Sequence, residues 1–213
     1  MKNMNSTKAS LFGFSGVVLF ITATILGGLQ LPGYSHVSQL ISESYAIGTP
    51  YGVSLRYFGF IPSGLFITAF AFLTIKALPE SKLTKASFLG IGIFYGIGTI
   101  LVSLFPCDKG CDKELVNPSI SQLIHNLTGM LTYLIVPVSL IILGIAAWKW
   151  NKGKYVSYFG IICGLTAVIF VAVLSSDLQS KFAGLYQRII EGSILLYIFI
   201  CSVYLMTLQK TSN

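Results

Sequence analysis

The chain alternates between long apolar runs and short polar breaks. Runs of about 20 residues, the length a helix needs to cross the hydrocarbon layer of a bilayer, fall at about 10–31, 57–78, 86–105, 127–148, 155–176 and 189–208. Inside that layer the backbone has to satisfy its own hydrogen bonds, which leaves helices or a closed barrel. The runs are roughly twice as long as the alternating segments of a barrel strand. The pattern therefore predicts an all-α bundle of six transmembrane helices forming a single integral membrane domain over 1–213. The lead MKNMNSTK has the charge of a signal peptide, but the run behind it is too long for such a peptide's apolar core and GGLQLPG offers no A-x-A cleavage site. The first run reads as a retained helix. Gly92 with Gly96 and Gly160 with Gly164 are small-xxx-small pairs that let helices approach closely.

The polar breaks are of two kinds. PESKLTK and KWNKGK are short and basic. The breaks after the first, third and fifth runs are longer or more acidic, and they hold both histidines. Lys2, Lys8, Lys76, Lys82, Lys85, Lys149, Lys152, Lys154 and Lys210, nine of the fourteen basic residues, share one side; six of the seven acidic residues share the other. The excess of lysine predicts that its side is cytoplasmic, with both termini there and the functional face extracytoplasmic. Trp148, Trp150, Tyr155 and Tyr158 are placed to form an aromatic belt on the inner side.

The first outer loop, at about 25 residues, is too long for a simple turn. Val37, Leu40, Ile41 and Ser44 recur at helical spacing, while His36, Gln39 and Glu43 share another face. This predicts a short amphipathic helix over 35–45. It either lies at the interface or dips its polar groups into a pocket between the spans.

Composition sharpens this picture. Only 10% of the 213 residues are charged and 54% are hydrophobic, against roughly 25% charged in soluble domains, and the mean hydropathy is +0.79. The net charge of +7 is a topology signal rather than a nucleic-acid footprint, because no basic stripe is interleaved with aromatics. Membrane lipids are the expected partners.

The candidate chemistry gathers on the outer side. Cys107 and Cys111 in FPCDKGC have the spacing of a metal clip, a redox pair or a disulfide, and an oxidising compartment favours the disulfide. Asp108 and Asp112 flank the pair, without the spacing of a calcium-binding loop. His36, His125 and Asp108 could hold zinc or another divalent metal with an open position for water. Without metal, His125 could serve as general base for Ser38 or Ser42, with Glu43 nearby. Asn126, Asp177, Gln187, Arg188 and Glu191 sit at the outer ends of the last three runs, where they could contact a substrate. Arg188 and Glu191, three apart on one helix, could equally pair with each other. Glu191 falls just inside the apolar layer, where an ionisable group is costly and faces a partner or a cavity.

The combination of SxxISE at Ser38 to Glu43, a glycine and Pro50, FPCDKGC, and His125 opening a helix resembles a prokaryotic membrane family known as domain of unknown function 998. The resemblance runs along nearly the whole chain, with FPCD-x-GC its most specific piece. It implies about six transmembrane helices in a prokaryotic inner membrane and no particular activity. The ISEL of that pattern reads ISES here, with Ser44 in place of an apolar residue. Three readings of function follow: a hydrolase or transferase acting on an outer-leaflet lipid, a non-enzymatic protein of lipid binding, sensing or membrane assembly, and a small transporter. The first carries no HExxH or GxSxG signature, and the last shows no inverted repeat. Convergence of His36, Glu43, Asp108 and His125 on one cavity is what the enzyme reading needs.

Overall fold

The computed structural model describes residues 2–210 apart from 80, 112 and 114, with side chains from 6 to 208. It contains α1 (Lys2–Leu29), α2 (Gly52–Ala77), α3 (Lys82–Leu104), α4 (Ile120–Ala147), α5 (Lys154–Ser176) and α6 (Ala183–Lys210). No strand occurs among the described residues. All six helices are long and apolar enough to cross a membrane, which marks the chain as a multi-pass membrane protein.

Each helix packs on its chain neighbours, and α6 returns to pack on α1, closing a ring. The closure uses Ser10, which donates to the Ser202 carbonyl at 2.9 Å, and an edge-on contact of Phe14 with Phe199. Between α4 and α5 the backbones nearly touch. A Cβ on Gly144 would stand 2.8 Å from the Ile161 nitrogen, and one on Gly160 would stand 2.8 Å from the Gly144 Cα. Here glycine is required by space, as the small-residue spacing suggests.

Most helices begin several residues before their apolar runs: α1 at Lys2, α2 at Gly52, α3 at Lys82, α4 at Ile120 and α6 at Ala183. The openings of α4 and α6 carry polar side chains that hydropathy discounts but that have partners in the loops. Ser119 caps α4, its hydroxyl accepting from the Gln122 N–H at 3.1 Å, the S-x-x-Q signature of a helix start. Two helices also contain a wider π-helical turn, at Arg56–Phe60 in α2 and Ile91–Ile97 in α3.

The helix expected over 35–45 takes a different form. Residues 36–39 make a turn, and only Ile41–Tyr45 is helical, as a 3₁₀ segment. The reason is competition for the backbone: the carbonyls of Gln39 and Leu40 are taken by side chains from outside the segment. At the opposite end of the bundle Trp148 and Tyr158 are exposed, edge to face at 5.5 Å. Trp150, expected beside them, turns inward and stacks on Tyr204 at 5.3 Å.

Candidate functional site

The site is the end of the bundle where the first loop (30–51) meets the third (105–119) and the start of α6. Loop 1 is held from several sides. The Tyr34 hydroxyl donates to the Leu40 carbonyl at 2.7 Å and accepts from Arg188 Nη2 at 2.8 Å. Arg188 Nη1 donates to the Gln39 carbonyl at 2.8 Å and to the Gly184 carbonyl at 2.9 Å. Gly184 permits this approach, because a Cβ there would fall 2.8 Å from the Gln39 nitrogen. Gln187 Oε1 accepts the Ile41 N–H at 2.6 Å, and the Leu185 N–H donates to Val37 O at 2.8 Å. Gln30 of the α1 end ties down the rest, donating to Ser44 O at 2.6 Å and accepting from the Tyr51 N–H at 2.5 Å.

Glu43 folds back on its own turn. Oε1 accepts the Leu40 N–H at 2.9 Å, Oε2 accepts from Gln39 Nε2 at 3.2 Å, and Lys113 from loop 3 stands 3.4 Å from Oε1. Ser44, the polar departure in ISES, is fully buried and donates to Ile41 O at 2.7 Å, so a local backbone bond satisfies it.

Loop 3 forms a knuckle. Cys107 and Cys111 stand at disulfide distance, with Cα atoms 4.9 Å apart, around Gly110 at φ +77°. The knuckle rests on loop 1: Ile47 N–H donates to Cys107 O at 3.0 Å, and the Ser42 hydroxyl oxygen is 3.4 Å from Cys111 Sγ. Asp108 secures it to α4. Its carboxylate accepts from the Ser119 hydroxyl at 2.7 Å and the Ser119 N–H at 2.9 Å, and its own N–H donates to Gln122 Oε1 at 2.8 Å. The Ser119 hydroxyl and then its N–H hold the Asp108 carboxyl below the usual carboxylate range. Asp112 and Glu114 lie outside the described residues.

His125 is buried on α4, its Nδ1 3.1 Å from the carbonyl oxygens of both Val102 and Phe105. Both neighbours only accept, so Nδ1 carries the proton by assignment from its partners, and the ring closes the open carbonyls at the end of α3. His36 is exposed on loop 1, edge-on to Tyr34 at 5.1 Å and resting on Gly28 of α1. Partial covering and then the Arg188 charge lower its pKa. Burial, against the pull of Arg188, raises that of Tyr34.

The expected constellation is therefore distributed. His36, Glu43, Asp108 and His125 each have their own partners, and among the described residues no hydrogen bond joins either histidine to Ser38 or Ser42. Ser42 lies at the cysteine pair, and the Ser38 N–H donates to Ser35 Oγ at 3.3 Å. No three His, Cys, Asp or Glu side chains among the described residues lie together as a metal site. Of the expected set His36, His125 and Asp108, both Asp108 oxygens accept from Ser119 and His125 Nδ1 faces two carbonyls. Asn126 is exposed and accepts from Gln122 Nε2 at 2.8 Å; Asp177, also exposed, accepts the Gln179 N–H at 3.0 Å.

Arg188 and Glu191 do not pair. Arg188 reaches up to loop 1, while Glu191 points inward and accepts the hydroxyls of Tyr95 at 2.7 Å and Tyr133 at 2.8 Å. The carboxylate thus ties α6 to α3 and α4. Tyr34, Tyr95 and Tyr133 are site residues that spacing does not reveal, because nothing distinguishes them from the other aromatics of the chain.

A family model described as a protein of unknown function (DUF998) matches residues 14–204. The chain belongs to the DUF998 family. This match extends over all six spans and both loops that build the site, so the polar network of this DUF998 protein lies within the matched region. No curated protein and no solved structure matches the chain.

Proposed function

We propose that this DUF998 protein is a non-enzymatic lipid-binding protein that seats an acyl chain in a groove between α1 and α2. The observation that carries the reading is the groove itself. It has a volume of about 390 Å³ and is lined by Leu19, Ala23, Leu26, Leu55 and Phe58 among others, with Gln30 and Tyr51 at its polar end. This volume is in the range of small-molecule sites. The π-helical turn Arg56–Phe60 forms one wall, at a place in the helix where such turns often accompany function. Phe58 is 79% exposed; on a membrane span such a surface faces lipid tails. Association there is a matter of shape, since tails are as apolar as the walls.

The polar end supports binding over catalysis. Glu43 is engaged by Leu40 and Lys113 and Asp108 by Ser119, and neither they nor His125 line the groove. The bonds that remain visible there rigidify the rim of the groove through Gln30.

Thr22 and Ser54 line the groove and have exposed side chains, so Thr22→Trp and Ser54→Trp fill it without entering the core. Native mass spectrometry of the protein released from mild detergent should find retained lipid on the wild type and several-fold less on either variant. Equal retention by all three would discard the groove as a binding site. Turnover of an added lipid by the wild type, lost in His125→Gln, would replace the binding reading with the enzymatic one.

A further inference from the structure

On the other side of α1, between α1 and α6, lies a separate cavity of about 160 Å³. Its walls include Phe20, Ile25 and Leu195, and three polar residues also face it: Thr24, Arg188 and Glu191. Two of their polar atoms are buried with no hydrogen-bond partner, Arg188 Nε and Thr24 Oγ1. They come from different helices and line the same space.

Six buried polar atoms among the described residues have no hydrogen-bond partner, and these are the two that line one cavity. A threonine inside a helix commonly returns its hydroxyl to the carbonyl four residues back, and Thr68, Thr74, Thr99 and Thr132 all do so, at 2.6–2.9 Å. Thr24 does not. The guanidinium of Arg188 places both Nη atoms on loop 1, Gly184 and Tyr34, yet its Nε–H is unmatched. Arg188 also makes no ion pair with any described carboxylate, because Glu191 spends its oxygens on Tyr95 and Tyr133. A guanidinium is always charged and its planar fork suits carboxylate and phosphate oxygens. A buried donor left open on a cation with no carboxylate partner calls for an explanation, such as a ligand or an ordered water.

From this we infer that the α1/α6 cavity is a second site, independent of the α1/α2 groove, that accepts the oxyanion head of a membrane amphiphile. One oxygen accepts from Arg188 Nε–H and a second bonds the Thr24 hydroxyl. Glu191 lies at the inner wall with both oxygens covered by tyrosine hydroxyls, so the anion sits at the Arg188 end. The cavity has room for the head alone. The tail leaves between α1 and α6, past the exposed Ile21, Ile25 and Gly192. The mouth is open there: a Cβ on Gly192 would have nothing within 4 Å. A carboxylate or a lipid phosphate has the required chemistry.

The test uses the full-length protein, delipidated in a neutral detergent, with oleate, phosphatidylglycerol and inorganic phosphate as probes read by thermal shift and native mass spectrometry. Oleate or phosphatidylglycerol should raise Tm. A response to oleate alone assigns the head as carboxylate, and one to phosphatidylglycerol assigns it as lipid phosphate. Thr24→Val, which replaces an unmatched hydroxyl by a methyl, should leave the ligand-free Tm equal or higher while weakening binding about tenfold, the scale of one hydrogen bond to a charged group. Gly192→Leu, which fills only the mouth, should weaken binding as much without lowering the ligand-free Tm. Thr22→Trp in the other groove should leave this binding intact. No shift with either amphiphile, an equal shift with inorganic phosphate, or full binding by both Thr24→Val and Gly192→Leu would overturn the proposal.

Discussion

Arg188 and Glu191 show how one turn of helix can send two charges to different tasks. Spacing suggests a pair, and the structure separates them because each has better partners elsewhere: carbonyls of loop 1 for the cation, two tyrosine hydroxyls for the carboxylate. Interhelical hydrogen bonds in membranes average about 0.6 kcal/mol with the strongest near 1.7. Tyr95→Phe and Tyr133→Phe should therefore each lower stability by about that much. Glu191→Leu should cost more than either, because it leaves two buried hydroxyls orphaned. Thermal unfolding in detergent orders the three, and a Glu191→Leu protein as stable as the wild type would refute the assignment of Glu191 as a tie between three helices. Asp108 gives a prediction in pH. Its folded pKa is depressed by Ser119, so its contribution is present above the ordinary carboxylate pKa and is lost as pH falls through the lower folded value. Asp108→Asn should lower Tm at pH 7 and flatten the decline of Tm on the acid side; parallel curves for the two proteins would show that Asp108 does not hold the knuckle. At this scale the closeness of Cys107 and Cys111 was legible, from their spacing around a glycine turn. The tyrosine ligands of Glu191 were not, since among 15 Phe and 11 Tyr only tertiary packing decides which hydroxyl meets a carboxylate.

The helices themselves were readable because twenty apolar residues have few other uses. Their beginnings were less so. Gln122 lies outside its apolar run, and His125, Gln187 and Arg188 stand at the edges of theirs, yet each occupies a helical turn and sends its polar group to a loop or a helix end. The π-helical turns left no trace, since one extra residue in a turn does not alter an apolar run. Loop 1 was legible as a structured element but not as a 3₁₀ segment, whose shape depends on Tyr34, Gln187 and Arg188 reaching it from outside. Close packing between elements was signalled by glycine, and it supplies a sharp test. Gly144→Val puts methyl groups against the α5 backbone, and overpacking of this kind costs about 1–3 kcal/mol. Gly129, with nothing within 4 Å of a Cβ, should accept alanine without loss. Equal Tm values for the two variants would count against direct backbone contact of α4 with α5.

For the molecule as a whole, the lysine bias leads to a prediction of orientation that fusions can check. A fluorescent protein attached at the C-terminus should mature and glow, while alkaline phosphatase at the same point should stay inactive and gain activity when moved to loop 3. The reverse pattern would invert the topology and place the Cys107–Cys111 knuckle in a reducing compartment, where a disulfide would not persist.

The closure of the ring by α6 on α1 has a consequence for how the protein is made. Synthesis is vectorial, and the first helix enters the bilayer long before its last neighbour exists. Until α6 arrives, one flank of α1 has no protein neighbour from that helix, and loop 1 lacks Gln187 and Arg188, which bind its backbone at Ile41 and Gln39. The final helix acts as a keystone, and assembly is completed only after translation is nearly over. A ribosome that stalls within the last stretch would release a chain with five inserted spans and an unfastened first loop. Such a chain offers a membrane protease a clear mark of an unfinished molecule.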